Sequence, residues 1–201
     1  YSAWFSENPT AKRGFTMNHA YYGPSYTNEY IGKLLDKNNI QLKNEDCSYS
    51  LILNEKELYR ITAKAISEGK VIGWFQGKLE WGPRALGNRS ILCDPRRSDM
   101  KDILNLKIKR RESFRPFAPS ILREEVSEWF EEDDDVPFMM KVFQIRKEKR
   151  DLISAVTHVD GSGRLQTVYK ETNHRYYSLI KEFSRISSVP ILLNTSFNEN
   201  E

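Results

Sequence analysis

The chain has 201 residues, of which 31 are Lys or Arg and 28 Asp or Glu, for a formal charge of +3, and 39% are apolar. That apolar content supports one full hydrophobic core, so one domain with an appendage is the default organisation, while a charge this close to zero selects no class of partner. No run of about 18 apolar residues occurs, and the first residues, YSAWFSENPTAKRG, lack the charged-then-apolar layout of a secretion signal, so the reading is a cytoplasmic chain without a membrane span.

Taken in chain order, residues 1 to about 35 are rich in aromatics, Asn, Gly and Pro (NHAYYGPSYTNEY) with no sustained period, and read as a loop-rich connector. Asn54 is a good N-cap with Glu57 three residues on. Leu58, Ile61, Thr62, Ala65 and Ile66 share a face and Gly69 follows, which predicts a helix over 55–68. VIGWFQG (71–77) and SILCD (90–94) read as buried strands, joined by the loop GPRALGNRS (82–90). Ser98 is placed to cap a helix whose Met100, Ile103, Leu104 and Ile108 form an apolar stripe and whose C-terminal end carries Lys107, Lys109, Arg110 and Arg111. The two prolines of SFRPFAPSI (113–121) forbid a helix interior there. The acidic run EEVSEWFEEDDD (124–135) reads as a solvated helix end and loop. MMKVFQIR (139–146) and GRLQTVY (163–169) alternate as strands do. Asn173 precedes a helix with Tyr176, Leu179, Ile180, Phe183 and Ile186 inward, and VPILLNTS (189–196) is a fully buried strand. The sum is an α/β fold with a mixed sheet. Cys47 and Cys93, without CxxC or Cys/His spacing, read as two buried thiols.

Charge is unevenly spread. Between Arg84 and Arg115 ten Lys or Arg face four acids. Arg84, Arg89, Lys109, Arg111, Arg115 and, later, Arg164 sit in Gly- or Pro-containing turns or at strand ends, where guanidinium forks suit phosphate and carboxylate. Charge-assisted contacts contribute roughly 1.5–3 kcal/mol each, so three or four suffice for micromolar binding of an anion. Gly and Pro in GPRALGNRS hold Arg84 and Arg89 aimed before a ligand arrives. The chain has neither GxxxxGK[ST] nor GxGxxG, which excludes a Walker-type or dinucleotide loop. His158 reads as a hydrogen-bonded histidine in a strand, and His19 and His174 have no matching spacing. NTSFN places Asn194, Ser196 and Asn198 at the carboxyl end of a buried strand, where ligands of open α/β sheets sit.

Together, GWFQGKLEWGPRALGNRSILCDPR, LNLKIKRRESFRPFAPSIL, VTHVDGSGRLQTV and VPILLNTSFN closely resemble the C-terminal domain of the NodU/CmcH-type O-carbamoyltransferases, which modify nodulation factors and antibiotics; the resemblance covers about residues 70–198. It implies a YrdC-like twisted mixed sheet flanked by helices over 35–201, with residues 1–34 the trailing segment of an N-terminal actin/sugar-kinase-like domain that carries a metal and transfers the carbamoyl group, and with the chain stopping short at its C-terminal end. It implies ATP, with Mg²⁺ riding on it, and carbamoyl phosphate as substrates, combined into carbamoyl-adenylate. The K-x-R and S-x-N pairs of YrdC-type nucleotide sites match Lys109-x-Arg111 and Ser196-x-Asn198. On this resemblance Lys109, Arg111 and Arg84 are the catalytic candidates, and Arg84, Arg89, Lys109, Arg111, Arg115, Arg164, Asn194, Ser196 and Asn198 the substrate- and ATP-binding ones. Two alternatives stand beside it: an RNA-binding module using the basic 84–115 window with Phe114 and Phe117, and a threonylcarbamoyl-adenylate synthase-like activity using bicarbonate and threonine.

Overall fold

In the computed structural model, which describes residues 2–12, 14 and 16–198, the aromatic-rich N-terminal stretch is partly helical: α1 spans Ser2–Glu7, α2 Asn28–Lys37 and α3 Asn39–Asn44. Within the stretch expected to be a loop-rich connector, α1 and the start of α2 are helical, and the described residues between them have no helix. The Thr27 hydroxyl accepts the Tyr30 amide at 3.2 Å and so starts α2. Tyr30, Ile31 and Leu34 then share a face, yet α2 buries no residue, so the stripe exists without the packing that usually accompanies it.

The helix predicted after Asn54 is α4, Glu55–Ser67. Asn54 Oδ1 accepts the amides of Lys56 and Glu57, and Gly69 leaves the helix at φ +84°, a left-handed turn that suits glycine. Strands β1 (Ile72–Phe75) and β2 (Arg89–Cys93) follow as an antiparallel pair. The next helix departs from expectation. Ser98 does not cap it; Asp99 holds the cap position without a side-chain bond, and α5 (Met100–Ile103) is one turn long before the chain widens into a π-helix, Leu104–Lys109. Arg110 closes that segment at φ 47°, ψ 47°, reversing the chain direction.

Strand β3 (Ala118–Leu122) begins shortly after the turn at residues 113–114, and the one-turn helix α6 (Val126–Trp129) anchors the acidic run through buried Val126 and Trp129 while residues 131–135 stay exposed. The continuous strands expected over 139–146 and 163–169 are broken. Only β4 (Phe143–Gln144) and β5 (Ser162–Gly163) pair in the first region, as a two-stranded ribbon, and Met139 has a left-handed φ of 56°. The chain leaves the ribbon at Arg164–Leu165 and enters the main sheet as β6 (Gln166–Val168). Helix α7 (His174–Ser187) is capped by Asn173 Oδ1, which accepts the Tyr176 amide, and strand β7 spans Ile191–Ser196. Of the residues expected inward on α7, Ile186 is 41% exposed. Cys93 is buried as expected, but Cys47 is exposed.

The main sheet has the order β1-β2-β7-β3-β6, antiparallel except for the parallel β3–β6 pair. This mixed α/β architecture is the class the sequence implied. Helices α4 and α7 pack on each other, and α7 lies on β3 and β7. Ile66, Leu92, Leu104, Ile121, Tyr176, Phe183 and Leu192 are buried in one continuous core, where each aliphatic side chain contributes about 1.5–3 kcal/mol. Strand direction decides where function can sit. Because β7 runs antiparallel to β2 and β3, and β3 runs parallel to β6, the carboxyl end of β7 shares one end of the sheet with the starts of β2, β3 and β6. The loops that precede those strands, 82–88, 110–117 and 157–165, therefore converge there.

Candidate functional site

At that end lies a cavity of about 390 Å³ whose walls include Arg84, Arg111, Arg115, Arg164, His158, Asn194, Thr195 and Ser196. The volume is within the range of small-molecule sites. Four of the six cationic candidates from the sequence thus meet in one place, although they come from three loops. Two of these residues carry a buried polar atom with no hydrogen-bond partner, Arg84 Nε and Asn194 Oδ1. The Asn194 amide is fixed from its other side, with Nδ2 donating to Ala85 O at 3.0 Å, Ser120 Oγ at 3.1 Å and Gln166 Oε1 at 3.2 Å.

Arg111 reaches the cavity because its neighbours brace it. Its Nε donates to Asn105 Oδ1 at 2.8 Å and its guanidinium lies 5.0 Å from the centre of the Phe117 ring. Asn105, fully buried on the π-helix, also donates to the carbonyls of Ser113 and Arg115, which fixes the 111–115 turn. Arg115 pairs with Glu112 at 3.0 Å.

Lys109 goes elsewhere. The left-handed Arg110 separates it from Arg111, and Lys109 points inward at 1% exposure. Its Nζ donates to Ser196 O (2.6 Å), Ser196 Oγ (3.0 Å), Asn198 O (2.9 Å) and Asn198 Oδ1 (2.8 Å). Ser196 Oγ and Asn198 Oδ1 also touch each other. The two sequence pairs, Lys109-x-Arg111 and Ser196-x-Asn198, are thus joined by one ammonium, which stands behind the cavity wall that Ser196 forms.

Arg89 is not among the cavity's lining residues. It pairs with buried Glu80, and the same carboxylate holds backbone N–H groups of the 82–90 loop. The carbonyls of that loop are equally engaged. Leu86 O accepts from Gln166 Nε2 and Tyr21 Oη, both at 2.9 Å, and Gly87 O from Gln76 Nε2 at 3.0 Å. Gly87 itself has φ +103°, and a Cβ there would lie 2.1 Å from the Tyr176 ring, so only glycine fits. The sequence implied a loop held by Gly and Pro; in the structure buried polar side chains also fasten it. Glu80, Gln76, Gln166 and Asn105 escaped sequence reasoning because an isolated Glu, Gln or Asn carries no periodic or motif signal.

His158 lies in the turn before β5 rather than in a strand. It is half-buried on the cavity wall, with Nδ1 3.1 Å from Ser162 Oγ and its amide donating to Ser162 O at 2.8 Å. Burial pushes its pKa below the ordinary 6.5; Asp160 opposes that shift, and the positive charges of Arg164 and Lys101 reinforce it. A depressed histidine pKa means that the unfolded chain takes up a proton that the folded one resists. Its contribution to stability is therefore complete above pH 6.5 and is lost as pH falls from there through the folded value. His158→Gln is expected to flatten the decline of melting temperature on acidification below pH 6.5; an unchanged slope would contradict this account.

The fold and cavity define an α/β domain with an arginine-lined cavity at one end of its sheet. A family model described as Carbamoyltransferase C-terminus matches residues 63–201. The chain is 46% identical over 183 residues to nodulation protein NolO of Bradyrhizobium diazoefficiens, a match covering 90% of this chain and 32% of that protein. It is 55% identical over 141 residues to nodulation protein NolNO of Sinorhizobium fredii, covering 69% and 21%. Against 3'-hydroxymethylcephem-O-carbamoyltransferase of Streptomyces clavuligerus it is 41% identical over 138 residues, covering 69% and 26%. The chain belongs to the carbamoyltransferase C-terminal family, the C-terminal domain of NodU/CmcH-type O-carbamoyltransferases. It spans about a third or less of the length of these relatives. Among the described residues no helix is long and apolar enough to cross a membrane.

Proposed function

We propose that this chain carries the carbamoyl-adenylate-forming half reaction of an O-carbamoyltransferase, on a YrdC-like fold. One observation supports the reading above all: Arg84, Arg111, Arg115 and Arg164 surround a single cavity at the carboxyl end of β7. The chemistry needs such a place. Carbamoyl phosphate and water give carbamate and inorganic phosphate; a carbamate oxygen then attacks the α-phosphorus of ATP, and the bond from that phosphorus to the β-phosphate bridge breaks to release pyrophosphate. Two anions must be held together and more negative charge accommodated as they react, which calls for fixed positive groups and little water.

In this scheme Arg84 and Arg164 hold the phosphate of carbamoyl phosphate or of ATP, Arg111 meets the nucleotide phosphates, and Arg115 assists at the rim. Asn194 and Ser196 hydrogen-bond carbamate and nucleotide phosphate. Lys109 acts through Ser196 and Asn198, which it holds in place. Mg²⁺ enters bound to ATP. Transfer of the carbamoyl group to an acceptor hydroxyl belongs to a separate metal-carrying domain, as does the choice of acceptor.

The test is exchange of labelled pyrophosphate into ATP by this chain, paired with calorimetry of ATP binding. Exchange that requires carbamoyl phosphate is the expected result. Exchange driven instead by bicarbonate and threonine would move the assignment to the threonylcarbamoyl chemistry, and absence of both exchange and ATP binding would overturn it. Tight, steeply salt-dependent RNA binding in that last case would favour a nucleic-acid surface.

A further inference from the structure

Glu80 is 4% exposed, and its side chain is fully enclosed by the loop that follows it. One carboxylate oxygen, Oε1, accepts the backbone N–H groups of Leu86 at 2.8 Å, Asn88 at 2.7 Å and Arg89 at 3.2 Å. The other, Oε2, accepts Arg89 Nε at 3.0 Å, and an Arg89 terminal nitrogen donates to the Glu80 carbonyl at 2.8 Å. A concavity of converging backbone N–H groups is the geometry that phosphate-binding loops offer to a ligand. Here the chain's own carboxylate fills it.

The arrangement has a directional consequence. With its amides turned toward Glu80, the 82–90 loop has no backbone donors left at positions 86, 88 and 89 for a ligand, and of its residues that line the cavity, Pro83, Arg84 and Ala85, Arg84 alone carries a charge. Two loop carbonyls are fixed from the opposite side by Asn194 and Gln166, so Glu80 and the sheet hold the loop between them. A buried carboxylate is stable only when it is fully hydrogen-bonded, and this one organises the segment that satisfies it.

We propose that Glu80 is the positioning residue of the site: an internal anion that shapes the 82–90 loop so that Arg84 faces the cavity. The inference rests on reading Arg84 as an anion-binding group. A role through Arg84 differs measurably from a merely structural one, because it disappears when Arg84 is removed.

The experiment is a double-mutant cycle with Glu80→Gln, Arg84→Ala and the double variant, each titrated with ATP and separately with carbamoyl phosphate, and each melted thermally. Glu80→Gln is expected to weaken ligand binding on the order of 10- to 100-fold, the scale of a misplaced contact. The double variant is expected to bind no more weakly than Arg84→Ala alone, while the fall in melting temperature caused by Glu80→Gln persists in both backgrounds. A Glu80→Gln effect of equal size with and without Arg84, or a lowered melting temperature with unchanged binding, would overturn the proposal. If Arg84→Ala alone leaves binding of both ligands unchanged, the reading of the site itself fails and takes this one with it. Should Glu80→Gln not fold, Glu80→Asp, which keeps the charge but shortens the reach by one methylene, carries the same cycle.

Discussion

Arg84→Ala is expected to weaken binding of ATP or carbamoyl phosphate by about 10- to 100-fold and to abolish pyrophosphate exchange while leaving the fold intact. The first part follows from chemistry: a charge-assisted contact to a phosphate contributes about 1.5–3 kcal/mol, and Arg84 offers a two-pronged donor that no other residue of its loop replaces. The second part follows from where the loop is fastened. Its amides go to Glu80 and its carbonyls to Asn194, Gln166, Tyr21 and Gln76, none of them through the Arg84 side chain. Removing that side chain leaves the fastening untouched, so stability is expected to change by no more than about 0.5 kcal/mol. Arg84→Lys keeps the charge but loses the planar fork, and intermediate affinity is expected. Titration calorimetry checks the series; wild-type affinity in Arg84→Ala would remove this arginine from the site.

Lys109→Met is expected to act in the opposite order, on stability first. The substitution is close in volume and removes an ammonium that four oxygen atoms of Ser196 and Asn198 surround at 2.6–3.0 Å. Those oxygens remain and lose a charged donor in a place with little access for water. The loss should be about 2–4 kcal/mol, which for a domain of this size lowers the melting temperature by about 4–16 °C. Exchange activity should fall as well, because Ser196 loses the group that fixes it at the cavity edge. A melting temperature within a degree or so of wild type would show that Lys109 does not hold the end of β7. The contrast between the two variants, affinity without stability and stability with activity, separates the cation facing the ligand from the one facing the fold.

What the sequence revealed follows the range of the interactions involved. Helices α4 and α7 were legible because Asn54 and Asn173 cap them locally and their apolar stripes repeat over three or more turns. β2 and β7 were legible as short apolar runs. The 139–146 and 163–169 segments were not, since alternation alone cannot say that the chain changes partner at Arg164–Leu165 and divides one expected strand between two sheets. In the site, the arginines announced themselves as charge in turns, but not the direction in which each points. One residue, Arg110, in a left-handed conformation, sends Lys109 into the protein and Arg111 to the cavity. Glu80 was unreadable for a different reason. Its worth lies in three amides that come within reach only once the loop has folded back on it. Gln166, bonded to a carbonyl 80 positions away, is the same case at longer range.

The place of β7 in the sheet ties the existence of the cavity to the packing of one central strand. It lies between β2 and β3 and pairs with both. Until it inserts, the β1–β2 hairpin and the β3–β6 pair have no strand in common, Asn194 and Ser196 are not opposite the arginine loops, and the cavity does not exist. A ligand bound in the cavity as proposed would therefore stabilise only the form whose sheet is closed. If the cavity binds an anion as proposed, saturating ATP is expected to raise the melting temperature by holding the central strand in place.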